Sequence, residues 1–359
     1  PRPVAAWRCG ALTTLLVRWR DDLRLAGHHW RLPEHLPRGS PGWVRKQTKE
    51  AMRHARNGEI SLARAKMLQD GLGDLNDPRV LQQLIRKHPR RKQHIRELAH
   101  YLAEADRGFA VPHDMNKTIR ELPTGIAPGP DGLRHEHLKV LLYKYTDPNA
   151  AGATTSLQSL TNLVAAGKMP KRYYWLNSVA TLVAPIKDAV AGKNMKAADP
   201  DAGGDDSTPD VRPLGTTAVL MRTVQSSIMQ QNKEAMEEHT WPLQIAVGVR
   251  HGPTVLTMGA TLVRQVSPHH ILVQVDSRNA FNEICRHIIL EELAAAPALR
   301  HLVPLFHKLF TIVTPIVVYT EDGPVVHYEL RGREGTQQGA SASMPLFGVG
   351  MHRVLRIIA

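Results

Sequence analysis

The stretch ILVQVDSRNAFNEICR, residues 271–286, runs through apolar, β-branched residues into a single aspartate, then turns small and polar before an aromatic. Ile271, Val273 and Val275 alternate with Leu272 and Gln274, the period of a strand buried on at least one face. The pattern predicts a strand over 271–275 that ends at Asp276. A carboxylate at the end of such a strand needs a partner.

Working outward, the downstream segment VVYTEDGPVVHYELRGREGTQQGASASMPLFGVGMHRVL (317–355) predicts a strand, a tight Glu-Asp-Gly-Pro turn and a second strand. A glycine-punctuated loop follows and opens a helix near Gln338. Gln337, Gln338 and Gly339 stand at the start of that helix, where glycine lets a base or sugar approach the backbone and an amide both donates and accepts. Upstream, residues 177–228 hold a strand candidate ending at Lys187, a polar loop, and Val211-Arg212-Pro213-Leu214 before a helix. Pairing of the flanking segments as a hairpin would let Lys187 and Arg212 approach one another, and two converging cations suit a phosphate chain. Further upstream, Pro128-Gly129-Pro130-Asp131-Gly132 forces a rigid turn that releases the chain into an amphipathic helix. His135 and His137, two residues apart, do not face one another on a helix, which argues against a metal pair.

Composition bounds what these pieces serve. A chain of 359 residues is long enough for a sizeable core and two or three domains. Cys9 and Cys285 are far apart and unaccompanied, which excludes a disulfide framework or a cysteine zinc site and fits a reducing compartment. No apolar run reaches the ~18 to 20 residues of a membrane span. The net charge of +13 is concentrated in residues 1–120, with 24 Lys and Arg against 12 Asp and Glu. That third reads as helical: 1–30 with Trp7, Trp19 and Trp30, a proline-rich break, a basic helix over 44–70, and a further helix capped by Asn76 or Asp77. Its IRKHPRRKQHIR run (85–96) has the footprint of a phosphate-backbone contact, the plainer alternatives being a solvated helix face or a nuclear-import tract. The start at Pro1 and the stop inside the apolar helical pattern RVLRIIA suggest a fragment.

In order and spacing, five pieces resemble the reverse transcriptase of non-LTR (LINE-type) retrotransposons. They are Gly125-x-Ala127-Pro128-Gly129-Pro130-Asp131-Gly132, Pro185-Ile186-Lys187, Arg212-Pro213-Leu214, Asp276-Ser277-x-Asn279-Ala280-Phe281-Asn282-x-x-x-Arg286 and Gly335-x-Gln337-Gln338-Gly339. The match covers about residues 121–359, and the aspartate motif is its most specific part. It implies an α+β, right-hand polymerase fold that is partial: a basic helical extension (1–120), a fingers-like region (121–265) and part of a palm (266–359), without a thumb.

The resemblance further implies an RNA-directed DNA polymerase that takes an RNA template, a DNA primer and dNTPs, acts in the nucleus, and uses Mg²⁺ held by Asp276 and the Ser277 carbonyl. Two ions about 3.5 to 4 Å apart would serve nucleotidyl transfer to a primer 3′-hydroxyl. Phe281 would exclude a 2′-hydroxyl, Lys187 and Arg212 would grip the triphosphate, and Gln338 with Gly339 would line the nucleotide pocket. The family's second catalytic element is an aromatic-x-Asp-Asp hairpin after the glutamine-glycine loop, and residues 340–359 contain no aspartate. Tyr319-Thr320-Glu321-Asp322 precedes Gln338 and leads into Gly323-Pro324, a hairpin turn and not that element. The expectation is therefore an inactive polymerase fragment, with a catalytically dead relic that at most binds nucleic acid as the alternative.

Overall fold

The computed structural model describes residues 41–56, 73–103, 115–126, 128–140, 150–186, 210–245, 249, 251–273, 275–320 and 323–359. The chain divides into two compact units, Pro1–Gly71 and Leu72–Ala359. In the first, the described element is helix α1 (Pro41–Arg56), which covers the first part of the basic helix expected over 44–70; residues 57–70 lie outside the described residues. The expected helix over residues 1–30 lies outside the described residues.

The second unit is α+β. It opens with helices α2 (Pro78–Arg86), α3 (Leu98–Tyr101), α4 (Met115–Glu121), α5 (His135–Val140), α6 (Ala150–Ala165) and α7 (Lys171–Ser178). Strands β1 (Ala180–Val183) and β2 (Leu214–Thr217) precede α8 (Val219–Gln231), α9 (Lys233–Thr240), α10 (Gly252–Val266), α11 (Ala280–Glu283), α12 (Arg286–Ala295) and α13 (Val303–Thr311). The chain continues through β3 (Thr314–Thr320) and β4 (Gly323–Gly332) into α14 (Ser343–Ile358). No helix among the described residues is long and apolar enough to cross a membrane.

The four strands form one mixed sheet in the order β2-β1-β3-β4, with β1 and β3 parallel and the two outer pairs antiparallel. Helix α2 covers one face. Asp77 caps it, its carboxylate accepting the Arg79 N–H at 2.9 Å, and Pro78 stands in the first turn, where its missing N–H loses nothing. Val80 and Leu84, four apart, then bury against Leu182, Ala184, Val211, Ile316, Val318 and Leu330. A second, helical core gathers Ile289, Leu290 and Leu293 of α12, Leu305 and Phe306 of α13, Met221, Val224 and Ile228 of α8, and Leu346 and Val349 of α14. Thr223 is fully buried in α8 because its hydroxyl donates back to the Val219 carbonyl at 2.8 Å.

The hairpin flanking the polar loop is present: β1 pairs with β2, and an isolated bridge joins Ile186 to Val211. The β3–β4 hairpin is present as well. Two expectations differ. The helix expected near Gln338 begins at Ser343, because Gly339 has φ +103°, a conformation no right-handed helix contains. Residues 271–273 and 275–277 form no strand, and Ile271, Leu272, Val273 and Val275 are 88, 65, 75 and 82% exposed. A strand exists through its neighbours, and none of the four strands pairs with this segment.

Candidate functional site

The Asp276–Arg286 motif turns at Asn279, which has φ +51°. Asparagine is among the few side chains that enter this left-handed region readily. Its amide then donates to the Lys87 carbonyl at 2.8 Å, and Asn282, one helical turn along, donates to the same oxygen at 2.8 Å. Phe281 lies between them, its ring 5.3 Å from that of Phe347 on α14. The main-chain carbonyl of Phe281 accepts the Thr336 N–H at 2.7 Å, which fastens the motif to the glutamine-glycine loop.

That loop meets β2 on its other side. Gly215 donates its N–H to the Gln338 carbonyl at 2.8 Å, and a Cβ on Gly215 would lie 2.1 Å from the Gln337 amide nitrogen. A side chain there would have to displace the Gln337 amide. A Cβ on Gly339 would stand 2.7 Å from the Gly215 carbonyl oxygen. Arg212, three residues before Gly215, is exposed and its N–H donates to the Pro185 carbonyl at 2.8 Å. Arg212, Gln338, Gly339 and Phe281 thus belong to three segments stitched side by side, although Arg212 and Gln338 are 126 residues apart in the chain.

Two charged residues that sequence reasoning left without a role hold this junction. Glu334 and Arg286 are 6% and 8% exposed. The Glu334 carboxylate accepts the Arg286 N–H at 2.8 Å and the Lys92 N–H at 2.6 Å. The Arg286 guanidinium donates to the carbonyls of Gly335 at 2.8 Å and Phe310 at 3.2 Å, and lies 5.2 Å from the Phe310 ring centre. Burial lowers its pKa to about 10, partly offset by the Glu334 charge, and it stays cationic at neutral pH. A cavity of about 80 Å³ adjoins the pair, lined also by Asn282, Gln337, Gln225 and Thr217. The Gln225 Oε1 and Thr217 Oγ1 atoms have no hydrogen-bond partner among the described residues.

The basic 85–96 run is built into the same junction. Lys87 pairs with Asp210 and donates to the Val211 carbonyl, next to Arg212. Arg91 donates to the Phe310 carbonyl at 2.7 Å, and Lys92 pairs with Glu283 at 2.7 Å. Arg90, His94 and Arg96 stay exposed. The Pro128–Gly132 turn is docked rather than free: Asp131 accepts the first N–H of α8, that of Val219, at 3.0 Å. Burial raises the Asp131 pKa and lowers that of Arg222, whose charge faces it.

Asp276 and Ser277 are exposed in the irregular segment before Asn279, and Asp276 makes no hydrogen bond or ion pair with the described residues. They are not drawn into the junction. No group of three or more His, Cys, Asp or Glu among the described residues could hold a metal ion, and of the donors the resemblance names, the described residues supply one carboxylate, Asp276, and one carbonyl, Ser277. That set does not fit a two-ion centre. Lys187 lies outside the described residues. No signal in the sequence marks Glu334 or Lys87, since each looks like one more charge in a polar run; Asn279 and Asn282 were legible only as letters of a motif. The fold is α+β, and comparison of the sequence with protein-family models and with curated proteins finds no match.

Proposed function

We propose that this chain is the fingers and part of the palm of an RNA-directed DNA polymerase of the non-LTR retrotransposon type. It would bind RNA template, DNA primer and dNTP, and it would be inactive as it stands for want of the donors of a second Mg²⁺. The observation that carries the reading is the junction: the Arg212 approach, the Gln338–Gly339 loop and the Phe281 turn, which the resemblance assigns to one nucleotide pocket, are hydrogen-bonded to one another. In this reading Arg212 meets the triphosphate, Gln338 and Gly339 shape the pocket, Phe281 excludes the 2′-hydroxyl, and Asp276 is the one palm carboxylate. A second reading, a relic that only binds nucleic acid, is favoured by the exposure of Val275, Asp276 and Ser277, which lie outside the sheet.

The test is primer extension on an RNA template with Mg²⁺, comparing this chain with one extended by an aromatic-x-Asp-Asp hairpin and thumb. The chain alone should be inactive, and the extended protein should incorporate dNTPs. Within the extended protein Asp276→Asn should abolish extension with template binding retained, and Phe281→Val should admit ribonucleotides. Extension that survives Asp276→Asn would refute the role given to that carboxylate. No extension in any form would favour the relic.

A further inference from the structure

Strand β4 carries a large irregularity. Val317 pairs with Val326 and Pro315 with Arg331, so one residue of β3, Ile316, faces four of β4, His327 to Leu330. Bulges bend a strand and re-aim its side chains. Here Leu330 is turned fully into the core beneath α2, while Tyr328 is pushed out to 72% exposure on the edge strand of the sheet. The excursion also takes main-chain carbonyls off the ladder. The Tyr328 carbonyl accepts from Arg331 Nε at 3.0 Å and the Glu329 carbonyl from Arg333 Nη1 at 3.1 Å. Two guanidiniums are thereby held on the main chain of Tyr328 and Glu329, and Arg91 Nε donates to the Arg333 carbonyl at 3.4 Å. The His327 ring lies 5.0 Å from that of Tyr328, at 30°. Within residues 323–334, Glu334 is buried and engaged, which leaves Glu329 beside Arg331 and Arg333.

We infer that the β4 bulge, through Tyr328 with Arg331 and Arg333, is a docking surface for single-stranded RNA. An exposed flat ring offers its face to an unstacked base, and guanidiniums held on the same stretch of main chain meet the flanking phosphates. Duplex RNA presents no free base face to such a ring. The surplus of positive charge argues against an acceptor-poor apolar partner. The choice of RNA rests on the polymerase reading, whereas the surface rests on the bulge.

The experiment is equilibrium binding of a fluorescein-labelled single-stranded oligo-uridine to the full chain, with an oligo-deoxythymidine and an RNA duplex as separate arms. It is paired with photocrosslinking of 4-thiouridine RNA and mapping of the attached peptide. Tyr328→Ala should weaken oligo-uridine binding about tenfold without changing the thermal melt, and Tyr328→Phe and Tyr328→Trp should bind like the parent chain. The crosslink should map to residues 327–333. Unchanged binding by Tyr328→Ala, or crosslinks confined elsewhere, overturns the inference. Self-association lost in Tyr328→Ala with RNA binding intact would assign the surface to a second copy and also overturn it. Preference for the deoxy oligomer or the duplex counts equally against it. None of these readings requires extension, so a failed polymerase reading and a failed docking surface are told apart.

Discussion

Gly335 has φ +68°, and a Cβ on it would lie 2.4 Å from the carbonyl oxygens of both Phe281 and Asn282. Gly125 has φ +74° and no heavy atom within 4 Å of the same position. The pair separates backbone strain from crowding. Gly125→Ala should cost about 1 to 2 kcal/mol, the left-handed penalty alone. Gly335→Ala adds a collision with two carbonyls that cannot swing away, so its urea midpoint should fall well below that of Gly125→Ala. Equal midpoints would mean that the loop does not press on the Phe281 turn as described. Glu334 is the complementary case. Removing its carboxylate strands the Lys92 and Arg286 N–H groups and leaves a buried guanidinium without its counter-charge, so Glu334→Ala should destabilise by about 3 kcal/mol. A loss under about 1 kcal/mol in denaturant titration would contradict that role.

Helix α3 has four residues, too few to be stable through its own hydrogen bonds. It is held by a relay. The Arg96 N–H donates to the Tyr101 hydroxyl at 3.3 Å, that hydroxyl shares a hydrogen bond with His287 Nδ1 at 2.6 Å, and His287 Nε2 reaches Glu291 at 3.0 Å. Tyr101 and His287 are both buried. Tyr101→Phe keeps the ring and deletes the relay, leaving a buried histidine nitrogen unpaired, and should cost about 1 to 3 kcal/mol. Hydrogen exchange should report faster opening over 96–102 than over α12. Uniform protection across both would show that the relay does not hold the basic run. The other elements show where local pattern sufficed: Asp77 before Pro78 and the Val80–Leu84 spacing announced α2, and the paired apolar runs around Gly323-Pro324 announced β3 and β4. The 271–275 run carries an equally clear strand pattern, yet residues 271–273 and 275 form no strand, since alternation specifies a face to bury and not a neighbour to pair with.

Buried and half-buried histidines are spread over the second unit. His88, His135, His239, His301, His307 and His352 all have pKa values lowered from the usual 6.5, with loss of hydration the leading cause at each. His88, His135 and His307 each use one ring nitrogen on a carbonyl, those of Leu84, Pro123 and Arg96, as a neutral ring does. Between the lowered folded values and 6.5 the unfolded chain binds more protons than the folded one, so stability falls as pH drops below about 6.5 and recovers as it rises. Asp131 acts in the opposite sense, but its unfolded value of 3.8 puts its contribution at lower pH. The urea midpoint should therefore decline from pH 7.5 to 5.5. A midpoint that holds steady or rises over that interval would mean these rings are hydrated in the folded protein.

The residues alone disclosed the α+β class, the two hairpins, the cap of α2 and the ordered motif pieces, because these depend on periods of two to four residues and on turn chemistry within a few positions. Tertiary structure alone decided that the Arg212, Gln338 and Phe281 segments adjoin, that Gly215 lies against the Gln337 side chain, and that residues of a basic run read as a phosphate contact, a solvated helix face or a nuclear-import tract also fasten the junction. It also decided that Glu334 and Arg286 are buried and that Tyr328 is driven outward by a bulge. The division is physical: a charge or an aromatic carries no local mark of whether it will be desolvated, since that depends on segments tens to hundreds of residues away that fold over it.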